Sequence, residues 1–259
     1  MAKGSSVPAV QSEEKLPAIS STEDLSDLFV KDAGRGYSHE REDSVVPHIK
    51  ILQDLSPQVK SRDPQYVEGA QAGDFFIPAT GKLIKGSEGM WLIPCGFHHE
   101  YVEWRPRGQG GIADRHPVGT MPGDVVEREI DGRRQLVRNN GNTLIETRYH
   151  FVLFEGQGLV FPFTSTGHQV SKRWTFMMTG KRAGDGVTRL PSFAFKYLVK
   201  SVLKSRGDQQ WYLPDPQDPG KVPNVTRDEY MIARALANAI ESGAKVAETE
   251  EPIQDEIPF

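Results

Sequence analysis

The last five residues of the chain, Asp255-Glu256-Ile257-Pro258-Phe259, hold the groups by which a partner protein captures a C-terminal peptide. Phe259 carries a terminal carboxylate beside its ring, and Ile257 adds a second apolar anchor. A basic residue and an apolar pocket on a partner would bind this combination. The alternative is a purely solvating tail, although such a tail needs no ring at its last position. The acidic residues of this tail are Glu248, Glu250, Glu251, Asp255 and Glu256.

A strongly basic segment lies between Arg148 and Arg206, although the whole chain has a formal net charge of −4. Its ten basic residues are opposed only by Glu155 and Asp185, which leaves the segment at +8. A basic body between acidic ends is typical of proteins that bind polyanions such as nucleic acid. The basic residues are Arg148, Lys172, Arg173, Lys181, Arg182, Arg189, Lys196, Lys200, Lys204 and Arg206.

Strand alternation assigns faces within this segment. In Glu146–Phe154, the apolar residues Tyr149, Phe151 and Leu153 share one face, so Arg148 and His150 are expected on the other. In Phe193–Lys200, the lysines point away from the aromatic side. A groove lined by such cations follows a phosphate backbone without reading base sequence. The alternative is that the rings form core and the lysines are merely solvated.

Tyr101 and Trp104 are the candidate rings for base stacking, because two arginines follow them in a polar strand. The two rings lie on opposite faces of a regular strand, so at least one is expected to be core. The full set of predicted nucleic-acid contacts is Tyr101, Trp104, Arg105, Arg107, Arg148, His150, Lys172, Arg173, Lys181, Arg182, Lys196 and Lys200.

Metal binding and catalysis receive little support from the sequence. Cys95, His98, His99 and His116 are zinc-ligand types, but their spacing matches no standard site, and we predict neither metal nor cofactor. The chain lacks a phosphate-binding Gly-x-x-x-x-Gly-Lys-Ser/Thr loop and a Gly-x-Ser-x-Gly elbow. We therefore expect a binding protein rather than an enzyme.

Short runs of β-forming residues, separated by glycine-containing turns, extend from Phe75 to Phe163. An apolar stripe then predicts a helix over His168–Gly180, with Ser165 or Thr166 as its cap. Strand pattern resumes at Ser192–Val202, and a capping box at Thr226 begins a second helix. We expect a mainly β, α+β fold: an OB-fold-like Greek-key barrel with one interposed helix, a C-terminal helix and flexible termini. Other small barrels or sandwiches fit the pattern about as well.

Three further features bound the location of the chain. The longest apolar runs are far shorter than the roughly 20 residues of a spanning helix, so we expect no membrane association. Residues 1–11 lack the apolar core of a signal peptide. Cys95 is the single cysteine, which excludes an intrachain disulfide and fits a reducing cytoplasm.

The body of the chain resembles a family of phage-encoded single-stranded DNA-binding proteins over roughly residues 45–215. The resemblance rests on five strings: Pro47–Gln53, Glu68–Asp74, Ile93–Cys95, Tyr101–Trp104 and Lys172–Trp174. The terminal Ile257-Pro258-Phe259 is similar to the acidic tip of bacterial single-stranded DNA-binding proteins, although Pro252, Ile253 and Gln254 interrupt the acidic run.

The resemblance implies sequence-independent single-stranded DNA binding in phage replication, recombination or repair, within the host cytoplasm. It implies four parts: a flexible segment 1–44, an OB-like DNA-binding domain 45–215, a linker and C-terminal helix 216–243, and an acidic partner-binding tail 244–259. The tail would recruit replication and recombination proteins and would compete with DNA for the basic segment. Alternatives are a strand-annealing recombinase and a structural or assembly protein that docks through its tail. Homo-oligomer formation is left open.

Overall fold

The computed structural model describes residues 45–106, 108–130, 133–243 and 245–246. All of these residues belong to one compact unit of the chain. The predicted flexible segment 1–44, Arg107 and the predicted partner-binding residues 255–259 therefore lie outside the described residues.

The elements follow the predicted order of strands, helix, strands and helix. In the described residues the strands are β1 (Val45–Val46), β2 (Lys50–Ile51), β3 (Phe75–Ile77), β4 (Lys82–Ile84), β5 (Met90–Trp104), β6 (Ile112–Pro117), β7 (Val126–Ile130), β8 (Arg133–Val137), β9 (Thr143–Phe154), β10 (Gln157–Thr164), β11 (Tyr197–Arg206), β12 (Gln209–Pro216) and β13 (Lys245–Val246). The α-helices there are α1 (His168–Thr179) and α2 (Arg227–Glu241). None of these helices is both long and apolar enough to cross a bilayer.

The two helices begin differently. At α2 the predicted capping box is confirmed, since Thr226 Oγ1 accepts from the Glu229 amide and the Glu229 carboxylate accepts from the Thr226 amide. Each side chain thereby satisfies an amide that has no partner within the helix. At α1 the predicted cap is wrong, because a 3-10 turn over Ser165–Gly167 precedes the helix and Gly167 occupies the cap position.

The main sheet has Greek-key order. β9 and β10 form a hairpin, β5 lies beside β9, and β11 lies on β5 with β12 beyond it. The spatial order β11-β5-β9-β10 is the fourth-first-second-third arrangement of a Greek key. Helix α1 joins β10 to β11, and β6, β7 and β8 form an excursion between β5 and β9. The mainly β, α+β prediction with one interposed helix is confirmed.

Strand β5 is shared between two ladders. Residues 90–92 pair with β11, and residues 93–104 pair with β9. A bulge at Cys95, between Pro94 and Gly96, lies near the start of the stretch that pairs with β9. Bulges bend a strand and increase its twist. The bend thus follows closely after residues 92–93, where the strand changes its partner from β11 to β9.

The strand ladders do not close into a complete barrel in the described residues, since β10 and β12 are not paired there. Residues 47–53 lie in this gap. The backbone of Pro47 and Ile49 bonds Val160 of β10, and Gln53 then bonds the Tyr212 backbone of β12 with its side chain. The Gln53 amide donates to the Tyr212 carbonyl at 3.0 Å and accepts from the Tyr212 N–H at 2.8 Å. A side-chain amide thus replaces a strand pairing.

Both faces of the β5–β9 pair are buried. On the inner face, α1 inserts Trp174 and Met178 among Val152, Phe163 and Tyr197. On the outer face, α2 packs Ala233 and Ala237 against Ile93, Cys95 and Leu153. Helix α2 approaches the sheet closely at Gly158, since a Cβ there would lie 3.1 Å from a Leu236 methyl group, which would have to shift.

The burial of His150 predicts acid sensitivity. Burial, with a smaller contribution from the Arg148 charge, lowers the pKa of His150 to about 3 from 6.5. Between these values the unfolded chain binds more protons, so stability present above pH 6.5 is lost as the pH falls. We expect the free energy of unfolding to fall by up to about 1.4 kcal/mol per pH unit from this residue. Denaturant titrations between about pH 7 and about pH 5 measure this loss.

The control is His150→Gln, whose side chain can still hydrogen-bond the Ser171 hydroxyl. It should show a shallower pH dependence than the wild-type chain over the same window. Equal slopes for the two proteins would contradict the buried neutral imidazole.

Candidate nucleic-acid interface

Four of the ten cations in the segment 148–206 are neutralised by acids that lie outside it in the sequence. Their charge is therefore not available to a polyanion, and the +8 of the segment overstates its field. The pairs are Arg148 with Glu146, Arg173 with Asp215, Lys181 with Asp218 and Lys196 with Glu229.

His150 is wrong as a predicted DNA contact, because its side chain is fully buried. Its ring stacks on Trp174 with centroids 4.8 Å apart, and its Nε2 lies 2.8 Å from Ser171 Oγ. The prediction failed because it treated one face of β9 as solvent-exposed, whereas α1 covers the face that carries His150.

Trp104 and Lys181 are also wrong as predicted contacts. Trp104 is 8% exposed and packs with Val102, Tyr149 and Phe151. Lys181 is equally buried, and its ammonium donates to the Asp218 carboxylate and to the Gly220 carbonyl. Neither side chain can reach a nucleic acid while these contacts hold.

The remaining predicted contacts divide by environment. Tyr101 is half-buried beside the His99 ring, and Arg105 is exposed but donates to the Ile112 carbonyl.

Six of the ten cations have no acidic partner in the described part of the chain. Three lie on β11: Lys200, Lys204 and Arg206. The other three surround α1: Lys172, Arg182 and Arg189.

The β11–β12 hairpin presents the first group on one face. A two-residue turn at Gly207-Asp208 joins the strands, and Gly207 supplies the positive φ of +60° that such a turn needs. Alternation puts Lys200, Lys204 and Arg206 together, because Tyr197 and Val199 occupy the buried face.

Two tryptophans share this face. Trp211 lies directly opposite Lys204 on β12, and Trp91 lies opposite Leu198 on β11. Trp91 is 53% exposed, although its neighbours Met90 and Leu92 are buried. We call the set Trp91, Lys200, Lys204, Arg206 and Trp211 the hairpin platform.

The β11–β12 hairpin itself carries two acids. Asp215 is opposite Lys200, but Arg173 and Gln217 both donate to its carboxylate. Asp208 lies in the exposed turn. Within the hairpin, three cations and one carboxylate without a basic partner leave a net positive charge.

The one group of three or more metal-ligand side chains that meets in the described residues is Glu103, Asp114 and His116. Glu103 is 2% exposed, and its carboxylate already accepts from Asn142, His116 and Arg138. Burial acts to raise the pKa of Glu103, but these hydrogen bonds outweigh it and lower the pKa to about 2. An arginine 3.1 Å from Glu103 takes the place that a cation would need. The group therefore serves as a structural ion-pair network.

The four candidate zinc ligands in the sequence, Cys95, His98, His99 and His116, do not come together at one site either. The three histidines contact different glutamates: His98 lies near Glu100, His99 near Glu146 and His116 near Glu103. Cys95 is buried, and burial raises the pKa of its thiol to about 12.

Comparison with known proteins identifies the family. Residues 21–246 match the family model described as Pam3 phage gp34-like protein. The chain belongs to this family, which confirms the phage part of the resemblance seen in the sequence. No curated protein and no solved structure matches the chain.

The sequence reasoning did not select Trp91, Lys204, Arg206 and Trp211 as contacts. Lys200, Lys204 and Arg206 are spaced by even numbers, which puts them on one face of a strand. This even spacing was the sequence signal that could have identified Lys204 and Arg206 as contacts beside Lys200. The partner strand and its tryptophan become evident only from the hairpin register.

Iodide quenching tests the exposure of the tryptophans. Trp91→Phe should remove most of the iodide-accessible fluorescence, because Trp104 and Trp174 are buried and Trp211 is half-buried. Trp174→Phe is the matched control and should leave the accessible fraction almost unchanged. A loss of the accessible fraction in Trp174→Phe would contradict the packing of α1.

Proposed function

We propose that this protein binds single-stranded DNA without sequence preference through the hairpin platform. The observation that carries the proposal is the presence of two tryptophans and three cations without an acidic partner in the described residues on one face of the β11–β12 hairpin and the adjoining end of β5. Every base offers a face to an aromatic ring, so stacking tolerates any sequence and contributes about 1–3 kcal/mol per base. Cations beside the rings neutralise the phosphates between stacked bases.

The Greek-key order supports the same function. OB-type Greek-key barrels bind oligonucleotides with a strand face and with the loop joining their last two strands. The corresponding loop here is the Gly207-Asp208 turn, next to Arg206 and Gln209. The face of β9 is less suitable, since α2 covers it.

The phage family membership supports a role in phage DNA replication, recombination or repair in the host cytoplasm. In this role the protein coats transient single strands and performs no catalysis. Its tail residues Asp255, Glu256, Ile257, Pro258 and Phe259 recruit replication and recombination proteins. The tail acids also compete with phosphate for the platform cations.

The platform is tested by the salt dependence of oligo(dT) binding. The double variant Lys200→Gln/Lys204→Gln should bind more weakly at low salt. The slope of log affinity against log salt should shrink by about 0.7 for each phosphate that the variant no longer neutralises. Trp211→Ala should weaken binding by about 1–3 kcal/mol, because a base can no longer stack on the indole ring. Fluorescence anisotropy across a salt series measures both effects.

Lys60→Gln is the matched control, because Lys60 is exposed and lies outside the platform. It should leave the slope unchanged. Absence of salt-dependent binding by the wild-type chain would rule out the proposed function and favour a structural or assembly role. Equal binding to duplex DNA would also count against it.

The two tail roles are separable. Deletion of residues 248–259 should tighten oligo(dT) binding at low salt, because five side-chain carboxylates are removed. Phe259→Ala should leave DNA affinity unchanged and abolish capture of replication proteins, since docking depends on the ring. Anisotropy and pull-down measure these two outcomes.

Unchanged affinity after the deletion would exclude electrostatic competition by the tail. Unchanged pull-down with Phe259→Ala would exclude docking through the terminal ring. Each result bears on one role of the tail and leaves DNA binding by the platform to its own test.

A further inference from the structure

The surface of α1 that faces away from the core carries an exposed ring between cations. Phe176 is 78% exposed, whereas Trp174 and Met178 on the same helix are buried. Lys172 precedes Phe176 by one helical turn, about 6 Å along the axis. The Nη1 of Arg182 donates to the Thr179 carbonyl at 2.7 Å, which holds the guanidinium at the helix end just beyond Phe176.

Arg182 faces a second arginine. It forms an isolated antiparallel bridge with Arg189, flanked by hydrogen bonds from Leu190 to Lys181 and from Ala183 to Thr188. This pattern defines a non-hydrogen-bonded pair, in which the Cα atoms lie about 4.5 Å apart and the side chains are closest. Like charges directly opposite each other across strands are destabilising. An anion bound between them would remove that repulsion.

No acid on this hairpin neutralises the arginine pair. Asp185, at the hairpin tip, accepts from the Val187 and Thr188 amides and from the Thr188 hydroxyl. Lys172, Arg182 and Arg189 have no acidic partner in the described ranges. Arg182 uses Nη1 for carbonyls of the helix end, so its Nε and Nη2 donors remain for a bidentate oxyanion.

We infer that Lys172, Phe176, Arg182 and Arg189, the helix patch, form a second nucleotide-binding site on the path of the single strand. A base stacks on Phe176, and its phosphate bridges Arg182 and Arg189. Lys172 contacts the phosphate on the other side of the ring. The inference rests on the proposed function and extends it, because a strand leaving the hairpin platform along β12 meets α1 where Arg173 contacts Asp215.

The test compares oligo(dT) affinities of full-length variants by anisotropy, with an oligonucleotide of about 16 nucleotides. Phe176→Ala should weaken binding by between about fivefold and about 150-fold. Arg189→Gln should weaken binding and reduce the salt slope by about 0.7. Both effects should diminish with an oligonucleotide of about 4 nucleotides, which is too short to occupy both sites.

Two controls match these variants. Val187→Ala removes an exposed apolar side chain from the same hairpin, and Arg62→Gln removes an exposed arginine elsewhere. Both should bind as the wild type does. Wild-type affinity for Phe176→Ala and Arg189→Gln, with weakened binding by the platform variants, would overturn the helix patch alone. Wild-type affinity for every variant in both sets would overturn both sites.

Discussion

The bend in β5 at Cys95 is the constraint on which the rest of the structure depends. The strand pairs with β11 over residues 90–92 and with β9 from residue 93 onward, so both halves of the Greek key are built on it beside this bend. Pro94 has no amide to donate at this point, and Gly96 leaves space for Ile240 of α2. The bend therefore sets the direction of the β11–β12 hairpin and also the position of the helix that covers β9.

Because helices cover both faces of β9, its polar residues make internal contacts. A strand buried on both sides presents no basic face, and each polar side chain on it must find a partner. His150 meets Ser171, and Arg148 meets Glu146. The β11–β12 hairpin and the adjoining Trp91 of β5 instead present an exposed face, where lysines and tryptophans occur together. The location of charge in this protein thus follows from the packing of its helices.

Features encoded locally were predictable from the sequence. The apolar spacing of Val170, Trp174 and Met178 located α1, and the Thr226–Glu229 box located the start of α2. Features that join distant residues were not. The acids that neutralise Arg173, Lys181 and Lys196 lie beyond the basic segment and approach it only through the fold. The pairing of Lys204 with Trp211 likewise required the register of a two-residue turn.

The two hydrogen bonds between the Gln53 side chain and the Tyr212 backbone make this junction of the main sheet different from the others. Every other junction in the main sheet is a ladder of backbone bonds, whereas this junction in the described residues depends on one side chain and a few loop contacts. Local opening occurs where the fewest bonds must break together. The seam between residues 47–53 and β12 is therefore held by fewer backbone bonds than the strand ladders beside it. The Tyr212 ring, packed on Gly73, lies at this seam and on the strand that carries Trp211.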